Sequence, residues 1–505
     1  MKVTAAVVVS ALSTAAYAGP VTQKDASCLK GCLDWQKISS SVAGDSTWNA
    51  LIDPFNLRLH YTPNTVVTVK EAGEVSKALK CVRQCGDFKV QARGGGHSYA
   101  AFGLGGKNGS VVIDLAGLNK VTVRADGTAD IGAGLRLGNV DLALWDQGKR
   151  AMSHGTCAGV GIGGHSTHGG YGYDSRIWGL ALDHILDLDL VLADGTELTA
   201  SATSNKDLFW AVRGAADSIA IVTKFHVRTQ AAPESLVYWT YDLPDVMKDV
   251  ATAVKSFVHI QDFALNKTVQ DRRLSWGWYY DPTAFVLRGK FFGTLDEFNS
   301  KIAPEILRGL PKPSKSDVRS VGWLDSQSLY HAGTLDHSVL AQANQPGQYK
   351  GHDNMYAKSI VTPDRFTEDA LTSFFTYTFT NKKAGWYSIG NLYGGPDSQI
   401  NIYDDSWSAY KDRDSLFVIQ NVGSVALDAK FDDSLKPYLK GLQESLTKKM
   451  PNTKFGAYAN YIDPELTPAE AHELYYGQKI YARLLSIKKK VDPASTFWNP
   501  LAIGA

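Results

Sequence analysis

The sequence predicts an α+β fold of two domains, on three observations. Up to residue 232, short strands and amphipathic helices mix without the regular βαβ alternation of a parallel sheet. Beyond it, aromatic-rich alternating runs predict an antiparallel sheet with helices on one face, which leaves the other face free to cover a ligand. A length of 505 residues is also enough for two large domains.

The N-terminal stretch, residues 1–18, has the pattern of a secretory signal peptide. Lys2 supplies the positive start, a mostly small or apolar run follows, and Ala16-Tyr17-Ala18 gives a small-x-small cleavage site before Gly19. We therefore expect a secreted protein. Glycosylation sequons at Asn108 and Asn266 agree with that route and predict a glycoprotein.

Composition limits the partners. Hydrophobic residues make up 44% of the chain, charged residues 20%, and the formal net charge is +1. This balance gives no electrostatic attraction to nucleic acid or to an anionic membrane. We expect a monomer with a small-molecule substrate and no nucleic-acid or membrane partner.

Four of the five cysteines form two close pairs, Cys28/Cys32 and Cys81/Cys85. In a secreted chain they predict two disulfides, whose connectivity the spacing leaves open. A zinc site built from the two pairs is the alternative. Cys157 is left over. A leftover cysteine is usually a buried apolar residue, but its place in a glycine run favours a reactive role.

Hydrophobic periodicity and turn residues predict the elements of the first domain in order. Residues 57–70 are extended and 72–85 have helical spacing. Next come three strands, a helix, a hairpin that turns at Asp194-Gly195, a short helix and a last strand. They are Val111–Leu115, Val121–Val123, Thr128–Ile131, Leu135–Gln147, Leu186–Leu192, Asp207–Val212 and Ile219–Val227.

In the second domain, aromatic alternation predicts strands and 3.6-residue periodicity predicts helices. The strands are Tyr238–Tyr241, Leu274–Tyr280, Phe285–Phe292, Trp386–Tyr393 and Leu416–Val422. The helices are Met247–Ile260 and Phe366–Phe379, and a further helix, Pro468–Val491, is predicted near the C-terminus.

Two glycine clusters each carry one reactive side chain. His97 follows Arg93-Gly94-Gly95-Gly96, and Cys157 precedes the glycine-rich run 159–164. Because glycine lets a backbone approach a bound group closely, we interpret both clusters as the site of one flavin, held through His97 and Cys157.

Two other interpretations of these clusters are weaker. The run 159–164 lacks the long preceding strand and the later acidic residue of a dinucleotide fingerprint, so a Rossmann site is not expected. His154, His165 and His168 lie close in sequence without an acidic cluster. Such histidines are more often hydrogen-bonding loop residues than ligands, so no metal is expected.

Five ordered motifs carry a resemblance to a known family: Arg93 to Tyr99, Ser153 to Cys157, Gly169 to Gly172, Asp207 to Gly214 and Tyr458 to Tyr461. Together they resemble the berberine-bridge-enzyme-like branch of the vanillyl-alcohol-oxidase flavoproteins. Within that branch the chain is most similar to fungal glucooligosaccharide oxidases, which group with the chitooligosaccharide and xylooligosaccharide oxidases. The resemblance implies a PCMH-type FAD-binding domain in two parts, 19–232 and 454–505, around a substrate domain, 233–453.

The resemblance also implies a bicovalent FAD, attached by His97 to the 8α-methyl group and by Cys157 to C6 of the isoalloxazine. Backbone amides of the glycine clusters would cradle the pyrophosphate. The other implied cofactor contacts are Arg93, Gly94, Gly95, Gly96, Ser98, Tyr99, Gly155, Val160, Gly161, Gly163, Gly164, His165, Gly170, Tyr171, Gly172, Ile221, Val222, Tyr458 and Asn460.

The family's catalytic base falls on Tyr461, which would take the proton of a sugar's anomeric hydroxyl. A tyrosine with an ordinary pKa of about 10 needs help in this role. The family's partner aspartate is replaced by Asn391, which forms hydrogen bonds but holds neither a proton nor a charge. Val160 stands where a small residue goes with oxidases, so hydrogen peroxide is the expected second product.

Four further positions are implied to bind substrate. Tyr99 and Gln420 match the family, whereas Tyr387 replaces a tryptophan and Ile389 a glutamine. A separate departure lies at Arg213–Ser218, where the family usually has several glycines and this chain has Ala215-Ala216-Asp217.

These observations predict a secreted oxidase that turns the anomeric C1 hydroxyl of an oligosaccharide or aldose into a lactone. The alternative is an FAD-linked oxidase of a secondary metabolite, which oxidises an alcohol or closes a ring; the changes at 387, 389 and 391 favour it. A flavin-carrying binding protein is a third hypothesis, against which the retention of His97, Cys157 and Tyr461 argues.

Overall fold

The computed structural model describes residues 25–505, and the predicted signal peptide, residues 1–18, lies outside them. The helices of the first domain are α1 Ala26–Trp35, α2 Trp48–Leu51, α3 Ala72–Gln84, α4 Leu137–Asp146, α5 Ile162–Thr167, α6 Ser175–Trp178 and α7 Lys206–Ile219. Its strands are β1 Ser39–Ser41, β2 Thr65–Thr68, β3 Val90–Arg93, β4 Val111–Asp114, β5 Val121–Val123, β6 Thr128–Gly132, β7 Arg150–Ala151, β8 Ile185–Val191, β9 Glu197–Ser201, β10 Ile221–Arg228 and β11 Gln230–Ala231.

The second domain and the C-terminal segment complete the fold. The remaining helices are α8 Val250–Leu265, α9 Leu295–Glu297, α10 Ala303–Leu307, α11 Trp323–Ala332, α12 Glu368–Thr380, α13 Leu435–Thr447, α14 Pro468–Tyr475 and α15 Gly477–Val491. The remaining strands are β12 Leu236–Asp242, β13 Leu274–Tyr280, β14 Phe285–Phe291, β15 Lys315–Val321, β16 Met355–Thr362, β17 Trp386–Leu392 and β18 Phe417–Ser424.

The first domain is built on two main sheets. One has the order β1-β2-β4-β3, in which β4 pairs in parallel with β2 and β3. The other has the order β5-β6-β10-β8-β9 and is antiparallel throughout. The C-terminal helices share their apolar core, since Leu484 and Ile487 of α15 are buried in it, and Phe497 bridges to Val90 of β3.

The second domain is a seven-stranded antiparallel sheet of order β15-β12-β14-β13-β17-β18-β16. Along β13, Trp276, Trp278 and Tyr280 point into an aromatic core shared with α8, α12 and α13. Ser275, Gly277 and Tyr279 alternate with these residues and lie on the opposite face, because side chains alternate along a strand. The α+β fold with an antiparallel sheet backed by helices is therefore confirmed.

Two disulfides join α1 to α3. Cys28 pairs with Cys85 and Cys32 with Cys81, with Cα–Cα distances of 5.5 and 5.7 Å. In each helix the two cysteines are one turn apart, so both bonds form on one face. The four thiols are therefore not available as zinc ligands, and the two predicted disulfides are confirmed.

Some predicted elements differ from the structure. The predicted helix 468–491 is two helices, because Gly477 has φ +65° and breaks the chain between α14 and α15. The predicted short helix 207–212 extends to Ile219 across a kink at Arg213–Ala215. Of the extended stretch 57–70, Thr65–Thr68 forms a strand. Within residues 25–505, no helix combines the length and apolar character needed to cross a membrane.

Candidate active site

A cavity of about 650 Å³ lies between the glycine-rich loops of the first domain and the open face of the seven-stranded sheet. Both glycine clusters contribute to its wall, as do strands β14, β17 and β18 and the segment 458–462. Buried ion pairs hold the two sides together: Lys290 of β14 binds Asp174, at 2.9 Å, and Arg413 binds Asp183, at 2.7 Å. The sheet therefore forms one wall and the loops the other.

The glycine loops pack backbone against backbone. A Cβ atom on Gly95 would lie 2.5 Å from the Cα atom of Gly161, so neither position accepts a side chain without movement. Arg136 fixes the same corner through a bridge to Gly161, and Gly96 has φ +68°, which favours glycine. This arrangement brings peptide N–H groups to the cavity surface, where an anion can bind.

His97 and Cys157 meet in this cavity. The Nε2 atom of His97 lies 3.7 Å from the Sγ atom of Cys157, although 60 residues separate them. Phe55 stacks on the imidazole, with ring centroids 3.7 Å apart. Burial, with a smaller contribution from Arg136, lowers the pKa of His97 to about 3, so its imidazole is neutral. Burial raises the pKa of Cys157.

The predicted catalytic residues are joined by a third side chain. The hydroxyl groups of Tyr461 and Tyr171 are 2.5 Å apart, and the Tyr171 hydroxyl donates to Oδ1 of Asn391 at 3.4 Å. The Tyr99 ring stacks on Tyr461 at 5.7 Å, nearly parallel. Burial and the Tyr171 phenol raise the pKa of Tyr461 well above its usual value. Tyr461 is therefore protonated at neutral pH in the absence of another charge.

The predicted substrate residues lie on the adjoining part of the sheet. Tyr387, Ile389 and Asn391 alternate along β17 and share one face, and Ile389 pairs with Gln420 of β18. The Gln420 amide donates to the Tyr99 hydroxyl at 2.9 Å. Tyr99, Tyr387, Ile389 and Gln420 all line the cavity.

Several predicted cofactor contacts position loops. Gly170 N–H donates to the Tyr458 hydroxyl at 2.8 Å, and the Asn460 amide donates to the same hydroxyl at 3.0 Å. Gly155 N–H donates to Nε2 of His165 at 3.0 Å. Arg93 pairs with Asp114 below the first glycine cluster. These contacts join the C-terminal segment 458–462 to the loops that carry Cys157 and Tyr171.

Comparison with known proteins agrees with this geometry. Residues 63–201 match the family described as FAD binding domain, and residues 457–504 match the family described as berberine and berberine like. The xylooligosaccharide oxidase of Thermothelomyces thermophilus is 33% identical, over 94% of this chain and 93% of its own length. The carbohydrate oxidase of Microdochium nivale is also 33% identical, over 94% of each chain.

The chain belongs to the berberine-bridge-enzyme-like family of FAD-linked oxidases. The protein is an FAD-dependent oxidoreductase that acts with oxygen, and its first domain has the PCMH-type FAD-binding fold. The structure of xylooligosaccharide oxidase from Myceliophthora thermophila C1 in complex with xylobiose has a TM-score of 0.87 and 33% identity, covering 94% of this chain and 99% of that one. The glucooligosaccharide oxidase of Acremonium strictum, described with a 6-S-cysteinyl, 8α-N1-histidyl FAD, has a TM-score of 0.86 and 30% identity, covering 94% and 99%.

The cavity of this berberine-bridge-enzyme-like protein fits an FAD. The side chains of His97 and Cys157 converge on one part of it, and glycine backbone that a Cβ would obstruct lines another. Of the predicted cofactor contacts, Gly163, Gly170, Ile221 and Val222 do not line the cavity, whereas the other contacts do.

The three histidines near Cys157 have separate partners. His154 binds Asp141 at 2.9 Å, and His168 binds Asp217 at 3.3 Å, while His165 accepts from Gly155. Burial lowers the pKa of His154, but the Asp141 carboxylate outweighs it, and the net pKa lies above the usual value. Within residues 25–505, no group of three or more His, Cys, Asp or Glu side chains is placed to hold a metal ion.

The departure at Arg213–Ser218 puts a carboxylate into the cavity wall. Asp217 lines the cavity and is held by His168 and by the Asn499 amide, at 2.8 Å. The kink at Arg213–Ala215 and the alanines that follow are accommodated inside α7. The acidic side chain of Asp217 is therefore part of the cavity wall.

Three side chains of the site have roles that the sequence does not predict. Tyr171 was assigned to cofactor binding, but its hydroxyl stands between those of Tyr461 and Asn391. Tyr279 stacks on Tyr387 at 5.6 Å, and Arg288 lines the cavity beside β13. Strand alternation places Tyr279 and Arg288 on the open face, but only the pairing of β13, β14 and β17 shows that this face meets the cavity.

Proposed function

We propose that this protein is a secreted carbohydrate oxidase, which converts the anomeric C1 hydroxyl of an oligosaccharide or aldose into a lactone and reduces oxygen to hydrogen peroxide. The observation that carries the proposal is the contact of Tyr461, Tyr171 and Asn391 beside His97 and Cys157, under an aromatic sheet face. The names of the relatives, which are oxidases of xylooligosaccharide and other carbohydrates, support the substrate class.

His97 and Cys157 are proposed to carry the two covalent bonds to FAD. The neutral imidazole of His97 leaves a ring nitrogen free to form a bond, and Cys157 is the free cysteine. When bound, FAD accepts the hydride from C1 of the sugar and passes the electrons to oxygen. Two points of attachment on loops that meet in the cavity would fix the position of the flavin there.

Tyr461 is proposed to take the proton of the anomeric hydroxyl. The hydroxyl of Tyr461 lies 2.5 Å from that of Tyr171, which can turn from Asn391 to donate to the phenolate that Tyr461 must become. In the structure Asn391 accepts the hydrogen bond of Tyr171 and so orients that hydroxyl group, but the Asn391 amide carries no charge. Since the pKa of Tyr461 is raised, the reaction is expected to speed up toward alkaline pH.

The shape of the site supports a substrate longer than one sugar. Aromatic rings stack on the apolar faces of sugars, and Tyr99 and Tyr387 line the cavity. A second, open groove of about 800 Å³ shares Tyr387 with it and continues past Tyr279 and Asp281. The distal sugars of an oligosaccharide would occupy this groove.

Anaerobic mixing of the purified protein with glucose, cellobiose, xylobiose, lactose and chitobiose tests the proposal. Loss of the flavin absorbance with at least one sugar, and release of peroxide when oxygen is readmitted, is the expected result. If a flavin-containing protein keeps its absorbance with every sugar, the proposal is wrong. The secondary-metabolite oxidase then becomes the better hypothesis, with Asn391 and Ile389 as the first residues to examine.

A further inference from the structure

Arg288 is an unpaired cation in the cavity wall. Four of the residues that line the cavity, Arg93, Asp217, Arg288 and Asp353, are arginine or aspartate. Arg93 pairs with Asp114, and Asp217 with His168. Asp353 accepts from the Ser424 hydroxyl and from the N–H group of Asn354. For Arg288, by contrast, no carboxylate among residues 25–505 forms an ion pair.

The surroundings of Arg288 do not neutralise its charge. Its Nε atom is buried and has no hydrogen-bond partner. The ionisable groups that act on it are three phenols, Tyr173, Tyr330 and Tyr238, and the Tyr173 hydroxyl is hydrogen-bonded to the guanidinium. Burial raises the pKa of Tyr330 and Tyr238, so these two stay neutral. No carboxylate therefore competes for this cation, and an anion bound in the cavity could pair with it without displacing an ion pair.

The register of the sheet places this cation beside the catalytic residues. Gly277 of β13 pairs with Arg288 on one side and with Asn391 on the other. Arg288 and Asn391 are therefore in one row of the sheet, two interstrand spacings or about 10 Å apart at Cα. Gly277 between them has no side chain, and the Asn391 amide occupies the space over it. One sugar unit held at Tyr461 can thus face Arg288.

We infer that Arg288 binds a carboxylate on the sugar unit that is oxidised, so that the preferred substrates are uronic acids and oligosaccharides that end in one. A guanidinium binds a carboxylate through two parallel hydrogen bonds, and Arg288 presents its guanidinium in the cavity wall. The inference rests on the proposed carbohydrate oxidation and adds the acidic substituent. The chemistry at C1 is unchanged.

The test compares pairs of monosaccharides that differ only at C6, and adds one neutral and one acidic disaccharide. The holoenzyme is mixed anaerobically with glucose and glucuronic acid, with galactose and galacturonic acid, and with cellobiose and digalacturonic acid as longer substrates. The expected result is that kcat/KM for the acidic member of each C6 pair exceeds that for the neutral member by roughly 10- to 100-fold, the range for hydrogen bonds to a charged group. Added salt should reduce this ratio.

Variants assign the preference to one side chain. Arg288→Gln should abolish the advantage of the uronates, so that the two members of each C6 pair are oxidised with similar kcat/KM, and Arg288→Lys should restore part of the advantage. Arg319→Gln is the matched control, because Arg319 lies on β15 outside the cavity and pairs with Asp317 at 3.0 Å. Flavin content and a thermal melt show whether each variant is folded.

Binding is measured separately from turnover. The alditol of digalacturonic acid, which has no anomeric hydroxyl, should bind the wild-type protein in a calorimetric titration and bind Arg288→Gln at least tenfold more weakly. If neutral sugars are oxidised as well as uronates, or if Arg288→Gln lowers both classes equally, the inference is wrong and the proposed function stands. If neither the uronates nor the neutral sugars reduce the flavin, both the inference about Arg288 and the proposed carbohydrate oxidation are wrong.

Discussion

The two walls of the cavity are built in different ways. The wall toward the cofactor consists largely of backbone, and Gly95 and Gly161 pack so closely that a Cβ on either would meet the other loop. The wall toward the substrate consists of side chains from β14, β17 and β18, such as Arg288, Tyr387 and Gln420. A backbone wall changes little without loss of the fold, whereas the side-chain wall can change one residue at a time. Substrate preference is therefore expected to vary on the sheet and not on the loops.

Removal of both proposed attachment residues should have the largest effect, because it removes every covalent bond to the flavin. In the double variant His97→Ala/Cys157→Ala, no flavin should stay with the protein after acid precipitation, whereas each single variant should retain it through the other residue. Fluorescence of the washed precipitate measures the attached flavin. His168→Gln, which removes a histidine bound to Asp217 instead, is the control and should retain it. Flavin on the precipitated double variant would contradict the assignment.

Loss of the proposed base should have the next largest effect. Tyr461→Phe keeps the ring stacked on Tyr99 but removes the hydroxyl, so kcat should fall by about 100-fold or more while KM changes little. Steady-state kinetics with a sugar that reduces the wild-type flavin measures this. Tyr410→Phe removes a buried hydroxyl that binds Tyr393 outside the cavity and should leave kcat within a few-fold. An equal loss in both variants would argue for a structural effect.

The close packing of the glycine loops predicts a stability effect. Gly95→Ala places a Cβ 2.5 Å from the Cα of Gly161 and should lower the free energy of unfolding by about 1–3 kcal/mol and reduce flavin content. Denaturant unfolding measures the change. Gly31→Ala, within helix α1 and with no atom within 4 Å of the added Cβ, should be neutral or stabilising. If Gly95→Ala matches Gly31→Ala, the loops are less rigid than the structure indicates.

A charge at position 391 should shift the pH dependence by a smaller amount. Tyr461 has a raised pKa, and a base is inactive below its pKa, so wild-type kcat/KM should rise from neutral into alkaline pH. Asn391→Asp brings a carboxylate, ionised above about pH 4, next to Tyr171 and gives the proton a second acceptor. The pH range in which kcat/KM rises should then move to lower pH. Profiles from pH 5 to 10 for both proteins test this, and identical limbs would show that residue 391 does not assist the proton transfer.

Sequence patterns predicted the local features well and the pairings poorly. The hairpin at Asp194-Gly195 and the aromatic strands of the sheet follow from periodicity and turn residues that act over a few positions. The disulfide connectivity did not follow, since the observed separations of 57 and 49 residues are too close to those of the alternative pairing to decide between them. The break at Gly477 was missed because apolar spacing continues across it and one glycine does not show its φ angle in advance.

By itself, the sequence determined that one histidine and one cysteine stand in glycine loops, and that an aromatic sheet accompanies them. These are local properties, decided by backbone freedom and by the alternation of side chains. The sequence also predicted that His97 and Cys157 serve one site, and the structure places them 3.7 Å apart. The tertiary structure alone decided that Tyr171 stands between Tyr461 and Asn391, and that Arg288 shares a row with Asn391. Those contacts join residues from 60 to 290 positions apart, and only the packing of the sheet on the loops brings such residues within reach of each other.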